Sequence, residues 1–260
     1  MKALRYFGHG PVLALLSFIM LQPAHALDWS RTELHFQYGN LAVPTFAGGG
    51  DAEHFIYTVQ HASGWQYGDN YFFVDTLDAQ DSEFQDFDVY GEWYANLSLG
   101  KITDWKIGAG IVSDVGVILG FNWARKPGIK KYLPGLRLSL DLDGFAFANL
   151  DFTAYLDDSD GVSSGGAPSE SDSFMIDFNF RRPFTIGEAS FSIEGHAEYI
   201  GGRINEFGGT VEPWILAQPQ LRWNVHERFA LGIEYQFWMN KLGDRVTDES
   251  VVQTLFVWKF

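Results

Sequence analysis

The chain has 260 residues and no cysteine, so no disulfide holds it and its stability must come from a packed core or a closed sheet. It also lacks any apolar run near the ~18 residues that a membrane-spanning helix needs. The nearest is a ten-residue stretch at 12–21, too short to span as a helix. Cations are scarce: 18 Lys and Arg stand against 33 Asp and Glu, a net charge of −15. A nucleic-acid partner needs a basic face for its phosphates and is excluded. Gly48-Gly49-Gly50 has no following Lys-Ser/Thr, so it reads as a flexible loop rather than a phosphate cradle.

What the chain does have is aromatic residues and strand-like alternation. It carries 9 Trp, 11 Tyr and 23 Phe with 28 Gly, and no segment shows a helical period. The C-terminus sets the reading. Val252, Thr254, Phe256, Trp258 and Phe260 occupy every second position of the last strand, and the chain ends on that Phe. A strand with one face in lipid and the other in a wet interior needs period-two alternation, with aromatics at the interfaces. At the other end, Lys2 and Arg5, the apolar stretch and Ala24-His25-Ala26 form a secretory signal with an A-x-A cleavage site. The expected domains are therefore a signal peptide at 1–26 and one transmembrane β-barrel at 27–260. Cleavage removes Lys2 and Arg5 and takes the net charge from −15 to −17.

Alternation repeats twelve times, at about 29–39, 52–62, 67–78, 86–99, 105–121, 132–142, 145–156, 172–183, 188–200, 211–224, 228–240 and 250–260. Long connections follow the odd strands (40–51, 79–85, 122–131, 157–171, 201–210, 241–249) and short ones the even strands. That order is the convention of outer-membrane barrels, and an even strand number returns both termini to the periplasm. The expected fold is all-β: an up-and-down, twelve-stranded antiparallel transmembrane barrel in the bacterial outer membrane. Pro219 falls inside a strand and cannot donate to a ladder, so a bulge or break is expected there.

Charges set which face is inside, because a charge facing lipid near the midplane is costly. Glu33 turns Arg31, His35 and Gln37 to the lumen, and Asp177 turns Asn179 and Arg181 there. Arg137 takes Ser139 and Asp141 inward, Glu194 takes His196 and Glu198, and Arg222 takes Gln218 and Gln220. The same parity puts aromatics inside: Asp75 carries Tyr71 and Phe73, Glu92 carries Tyr90 and Tyr94, Asp151 carries Phe147 and Tyr155, and Glu234 carries Trp238. Rings among carboxylates, Arg and amides suit a solute with a flat ring and hydroxyls. The competing reading is that Tyr and Phe simply fill a narrow barrel.

Two short segments resemble the nucleoside-specific channel-forming outer-membrane proteins of the Tsx type. One is Tyr71-Phe72-Phe73-Val74-Asp75; the other is Asn96-Leu97-Ser98-Leu99-Gly100-Lys101-Ile102-Thr103, with Ser98, Lys101 and Thr103 in register. Asn96 departs from that pattern, standing where an Arg is expected. The resemblance implies a narrow twelve-stranded channel passing nucleosides by diffusion.

Glu194, His196 and Glu198 read as a hydrogen-bonded lumen network rather than a metal site. Asp157, Asp158 and Asp160 lack the closing Glu of a Ca²⁺ loop and read as solvated charge. A lipid-acting enzyme would need a Ser–His pair on the lipid-facing wall. His61 and Ser113 have that parity but lie on strands that are not neighbours, with no nucleophile motif around either Ser. The expectation is a non-enzymatic pore without cofactor. Lipid surrounds it, a small solute such as a nucleoside passes through it, and the external loops are open to phage or colicin contact. The alternatives are a pore for another small solute, a lipid-acting enzyme, and a closed structural or phage-receptor barrel.

Overall fold

The computed structural model describes residues 27–80 and 82–260, so the signal segment 1–26 lies outside the described residues. Nine strands run in sequence order around the wall. They are β1 (Trp29–Ala42), β2 (Asp51–Trp65), β3 (Gly68–Ala79), β4 (Asp88–Ser98), β5 (Val112–Ala124), β6 (Ile129–Leu140), β7 (Phe147–Asp157), β8 (Ser173–Ile186) and β9 (Ala189–Ile200). A short hairpin follows, β10 (Arg203–Ile204) with β11 (Thr210–Val211). Next come β12 (Trp214–Ala217), β13 (Gln220–His226), β14 (Phe229–Met239) and β15 (Glu249–Lys259). β12 and β13 both pair with β9 on one side and β14 on the other, so they form one interrupted stave. β15 pairs with β14 and with β1, which closes a twelve-stave antiparallel barrel.

The interruption falls at Gln218-Pro219, as the proline requires. Without a proline N–H the ladder cannot continue, and the neighbouring backbone bends to meet the gap. The Gln218 N–H donates to the His196 carbonyl at 2.9 Å, and the Tyr235 N–H donates to the Pro219 carbonyl at 3.0 Å. Gly195 on β9 lies against this break with φ +146°, and a Cβ there would sit 2.2 Å from the Gln218 carbonyl oxygen.

Alternation sorts the faces as charge parity requires. On β1, Glu33, His35 and Gln37 are buried inside while Phe36 and Tyr38 are exposed outside. Phe256 and Trp258 share that outer face: Phe36 pairs with Phe256, and Leu34 with Trp258. Phe55, Tyr57, Trp93, Leu136, Phe152, Leu231 and Tyr235 extend an exposed apolar belt around the wall. A belt this extensive is tolerable only against lipid.

Two connections depart from the expected long–short order. The fifth strand begins at Val112, not 105: residues 99–103 form a short helix (Leu99–Thr103) and 104–111 run on as a loop. Ser98 caps it by accepting from the Lys101 N–H at 3.0 Å, and the Lys101 ammonium donates to the Trp65 and Gly68 carbonyls at 3.2 Å. A local N-cap outcompetes strand extension here. Between β5 and β6, by contrast, only residues 125–128 remain as a loop.

Candidate functional site

The lumen is built from inward side chains that find partners across the barrel. At the end carrying the termini, Arg222 of β13 reaches Glu33 of β1 at 2.8 Å, pairs with Glu194 of β9, and bonds Gln220. Glu33 also receives Arg31, His35 at 3.0 Å and Gln60 at 3.1 Å. Arg181 meets Glu194 at 2.8 Å. Glu33 and Arg222 are 0% and 2% exposed, so water does not share these contacts. Below this hub opens a cavity of about 490 Å³ lined by Arg31, Arg181, Asn224, His226, Lys259 and Phe260.

Further round the wall, Arg137 holds Asp151 bidentately at 2.7 Å and 2.7 Å and reaches Asp69 at 3.0 Å. Asn179 bridges Asp151 at 3.2 Å and Asp177 at 2.9 Å. His196 lies between Asp177 at 3.1 Å and Gln218 at 3.0 Å. Gln218 passes the network to Gln236 at 2.8 Å, and Gln220 reaches Glu234 at 2.6 Å. Glu194, His196 and Glu198 are each hydrogen-bonded in the lumen, but to different partners. Glu194 turns to Arg181 and Arg222, and Asp177 stands by His196 instead.

The inward aromatics gather on β3 and β4. Phe73 lies 6.1 Å from Tyr71 and 6.0 Å from Tyr90, ring centre to ring centre. Their edges are wired: Tyr71 donates to Gln60 at 3.2 Å, Tyr90 to Glu92, and Tyr94 to Asn122 at 3.1 Å. Asp75 accepts from Thr58 at 2.6 Å. Tyr71, Phe73, Asp75, Tyr90 and Tyr94 keep intermediate exposure, whereas Gln253, Leu255 and Val257 on β15 are shut at 0–3%. The residual lumen is therefore reached by these residues of β3 and β4 and, across the barrel, by Asn179, Arg181 and His196, which also keep intermediate exposure. Phe147, on the inner parity at the start of β7, is 45% exposed and stands apart from this group.

Apolar clusters narrow the loop end, which sequence parity did not foresee. Leu133, Tyr155, Met175, Ile200, Val211, Trp214 and Leu216 form one, with Tyr94 and Trp238 packed against it. Leu41, Ile56 and Leu77 form another, against which Tyr90 packs. Tyr90 and Tyr94 thus lean on different clusters, with Glu92 between them. Arg203 stacks on Trp214 at 4.2 Å and bonds Glu170 at 2.7 Å. Lys131, placed in a loop by its sequence context, is an inward strand residue bonding Asp157 at 2.6 Å and Glu170 at 2.8 Å. Asp157 is consequently a buried partner and not solvated charge, and Asp160 pairs with Lys130 at 2.6 Å.

The loop after β14 is tied inward as well. Lys241 meets Glu249 at 2.8 Å with both side chains at 0–1% exposure; burial pushes the ammonium below its usual range, and Glu249 opposes that push. Asp244 accepts from the Thr45 N–H and hydroxyl at 2.6 Å and from the Thr247 hydroxyl at 2.7 Å. Slight desolvation would raise its carboxyl, but these bonds outweigh it and hold the group at about 2.

On the outer wall His61 bonds Thr32 at 2.8 Å and stacks on Phe72, while Ser113 donates to the Ser139 carbonyl. No Ser113–His61 pair forms. Asn96, which departs from the Tsx-type pattern, donates to Asp69 at 2.8 Å and is 4% exposed.

No protein-family model and no curated protein sequence matches the chain. Among solved structures, the NanC porin superposes with a TM-score of 0.51 at 11% identity, covering 88% of this chain and 100% of that one. The COG4313 outer membrane channel from Pseudomonas putida F1 superposes with a TM-score of 0.53 at 10% identity, covering 92% and 100%. The likeness is one of fold. With the apolar belt and the closed twelve-stave wall, it makes the chain a β-barrel of the bacterial outer membrane, built like the channels of that membrane.

Proposed function

We propose that the protein is a narrow outer-membrane channel for small, uncharged, ring-bearing polar solutes, nucleosides among them, which diffuse down their own gradient. Residues 1–26 are, in this reading, its export signal. One observation carries the reading: one wall of the lumen is formed by Tyr71, Phe73, Tyr90 and Tyr94 on the paired β3 and β4, interleaved with Asp75 and Glu92. Ring faces stack on flat solutes, and fixed carboxylates accept from hydroxyl and amino edges. No Lys or Arg forms a salt bridge with Asp75, Glu92 or Glu234 among the described residues. Such a wall repels anions, which disfavours acidic sugars of equal size.

The test is single-channel current in planar bilayers with a nucleoside, a neutral sugar and a sugar acid added in turn. The nucleoside should reduce the current most and the sugar acid least. Base stacking contributes about 1–3 kcal/mol per ring in nucleic-acid binders. In this wetter lumen the low end applies, so Phe73→Ala with Tyr94→Ala should weaken block by about tenfold or less. A wild-type current indifferent to nucleosides refutes the solute assignment. A conductance that rises in the double variant, with no block to lose, makes the aromatics filler.

A further inference from the structure

We propose that Asp177, His196 and Glu198 form a site for a divalent transition-metal ion inside the lumen. The strand pattern builds it. His196 and Glu198 are two apart on β9 and share the inner face, and Asp177 on β8 is the direct cross-strand partner of Glu198. One ligating atom from each residue can be chosen so that all three lie within 4.8 Å of one another. Ligands to Zn²⁺ at about 2.1 Å lie up to about 4.2 Å apart across the ion, so a carboxylate rotates inward on binding. The His196 Nδ1 and Asp177 Oδ1 are already 3.1 Å apart. With bonds of about 2.0–2.1 Å, that separation subtends about 97° at the metal, inside the range of tetrahedral and octahedral sites.

Two further observations point to a cation. The first is orientation. His196 Nε2 faces the Gln218 carbonyl oxygen at 3.0 Å. With Nε2–H donated to Gln218, a metal ion would take the place of the proton between Nδ1 and Asp177, the arrangement by which outer partners orient ligating imidazoles.

The second is charge. Asp151, Asp177 and Glu198 face one another across β7, β8 and β9, and like charges directly opposite are unfavourable. Arg137 neutralises Asp151. Glu198 is 8% exposed and accepts one hydrogen bond, from Trp214 Nε1 at 3.3 Å. No Lys or Arg pairs with Glu198, Asp177 or the facing Glu92 among the described residues, so His196, 3.1 Å from Asp177, is the one group there that can carry positive charge among three carboxylates. A bound divalent ion adds positive charge where one imidazole faces several carboxylates. The His196 side chain is 26% exposed to the residual lumen, which gives the ion a route in. One imidazole with carboxylates favours Zn²⁺ or a similar first-row ion over Ca²⁺, which prefers oxygen ligands alone.

This site lies on the pathway of the proposed channel but is tested without solute flux. Purified protein in detergent is titrated with Zn²⁺ against a chromogenic chelator, with Ca²⁺ as the control ion and heat-modified gel mobility as the check of folding. The expected result is one Zn²⁺ per chain, no competing Ca²⁺, and at least tenfold weaker binding in His196→Ala and in Glu198→Gln, which keeps an acceptor for Trp214. Glu227→Gln, in the turn between β13 and β14 beside the terminal-end cavity, should bind as the wild type does. No stoichiometric Zn²⁺ on the wild type, or equal affinity in Glu198→Gln, overturns the site whatever the nucleoside measurements show. Loss of nucleoside block with Zn²⁺ binding intact overturns only the solute reading.

Discussion

Replacing Arg222 by Met tests whether the hub at the terminal end holds the barrel together. Arg222 is 2% exposed and faces Glu33, at 0%, and Glu194. Removing one member of a buried pair costs about 3–5 kcal/mol, because the remaining charge is left in a medium that cannot solvate it. Glu33 keeps Arg31, His35 and Gln60, and Glu194 keeps Arg181. The loss should therefore fall at the low end, about 3 kcal/mol, or roughly two decades in the folding equilibrium. Urea unfolding in phospholipid vesicles, followed by tryptophan fluorescence, reads it. Repeating the change in a Glu33→Gln background should cost less by about 1 kcal/mol, since a neutral amide needs no counter-ion. A loss under about 1 kcal/mol, or equal losses in both backgrounds, would refute the argument that burial makes this ion pair matter.

Gly195→Ala should destabilise by about 1–3 kcal/mol in the same unfolding assay, because φ +146° is strained for any side chain and the new methyl meets the Gln218 carbonyl. The Asp244 carboxyl sits at about 2 when folded, below the ordinary aspartate value of about 3.9. Its tie to Thr45 is thus intact above about pH 4 and lost as pH falls toward 2. Pepsin should nick the loop at 240–248 at pH 2 and not at pH 4 in the wild type, and at both in Asp244→Ala. An epitope inserted at Gly165, where nothing lies within 4 Å of an added Cβ, should be reached by antibody on intact cells. Detection only after permeabilisation would invert the topology. Deleting Phe260, which stacks on Trp258 at 4.9 Å and donates to the Thr32 carbonyl at 2.9 Å, should lower outer-membrane levels on quantitative immunoblots.

Face assignment was legible in the sequence because alternation has period two and a single charge fixes its phase. Glu33, Arg222 and Glu194 were placed on one surface that way, and the break at Pro219 followed from a missing N–H. What period cannot reveal is which strands meet across the interior. Parity gave no sign that Asp177, rather than Glu194, stands beside His196, because that depends on the β8–β9 register. Nor could it show that Leu133, Met175 and Ile200, inward by parity, would join Val211 from a loop hairpin in an apolar cluster. Lys131 and Lys241 were hidden for a related reason: both sit at loop boundaries, where alternation fades and a buried partner leaves no local trace. The helix at Leu99–Thr103 is too short to show a period, and most of it falls in what reads as the turn between the strands at 86–99 and 105–121.

The hub also bears on the order in which the chain folds. Glu33 and Arg222 are 189 positions apart, and they meet only when the first strand pairs with the last. Before that moment the sheet is open, and each charge faces solvent water with no reason to leave it. Desolvation and pairing of these groups are therefore deferred to the closing event, which couples the seam between β1 and β15 to the interior in one cooperative step. Contacts of such sequence separation form late and slowly. Changes at Arg222 should accordingly leave early sheet formation untouched and act on the rate at which a closed barrel reopens.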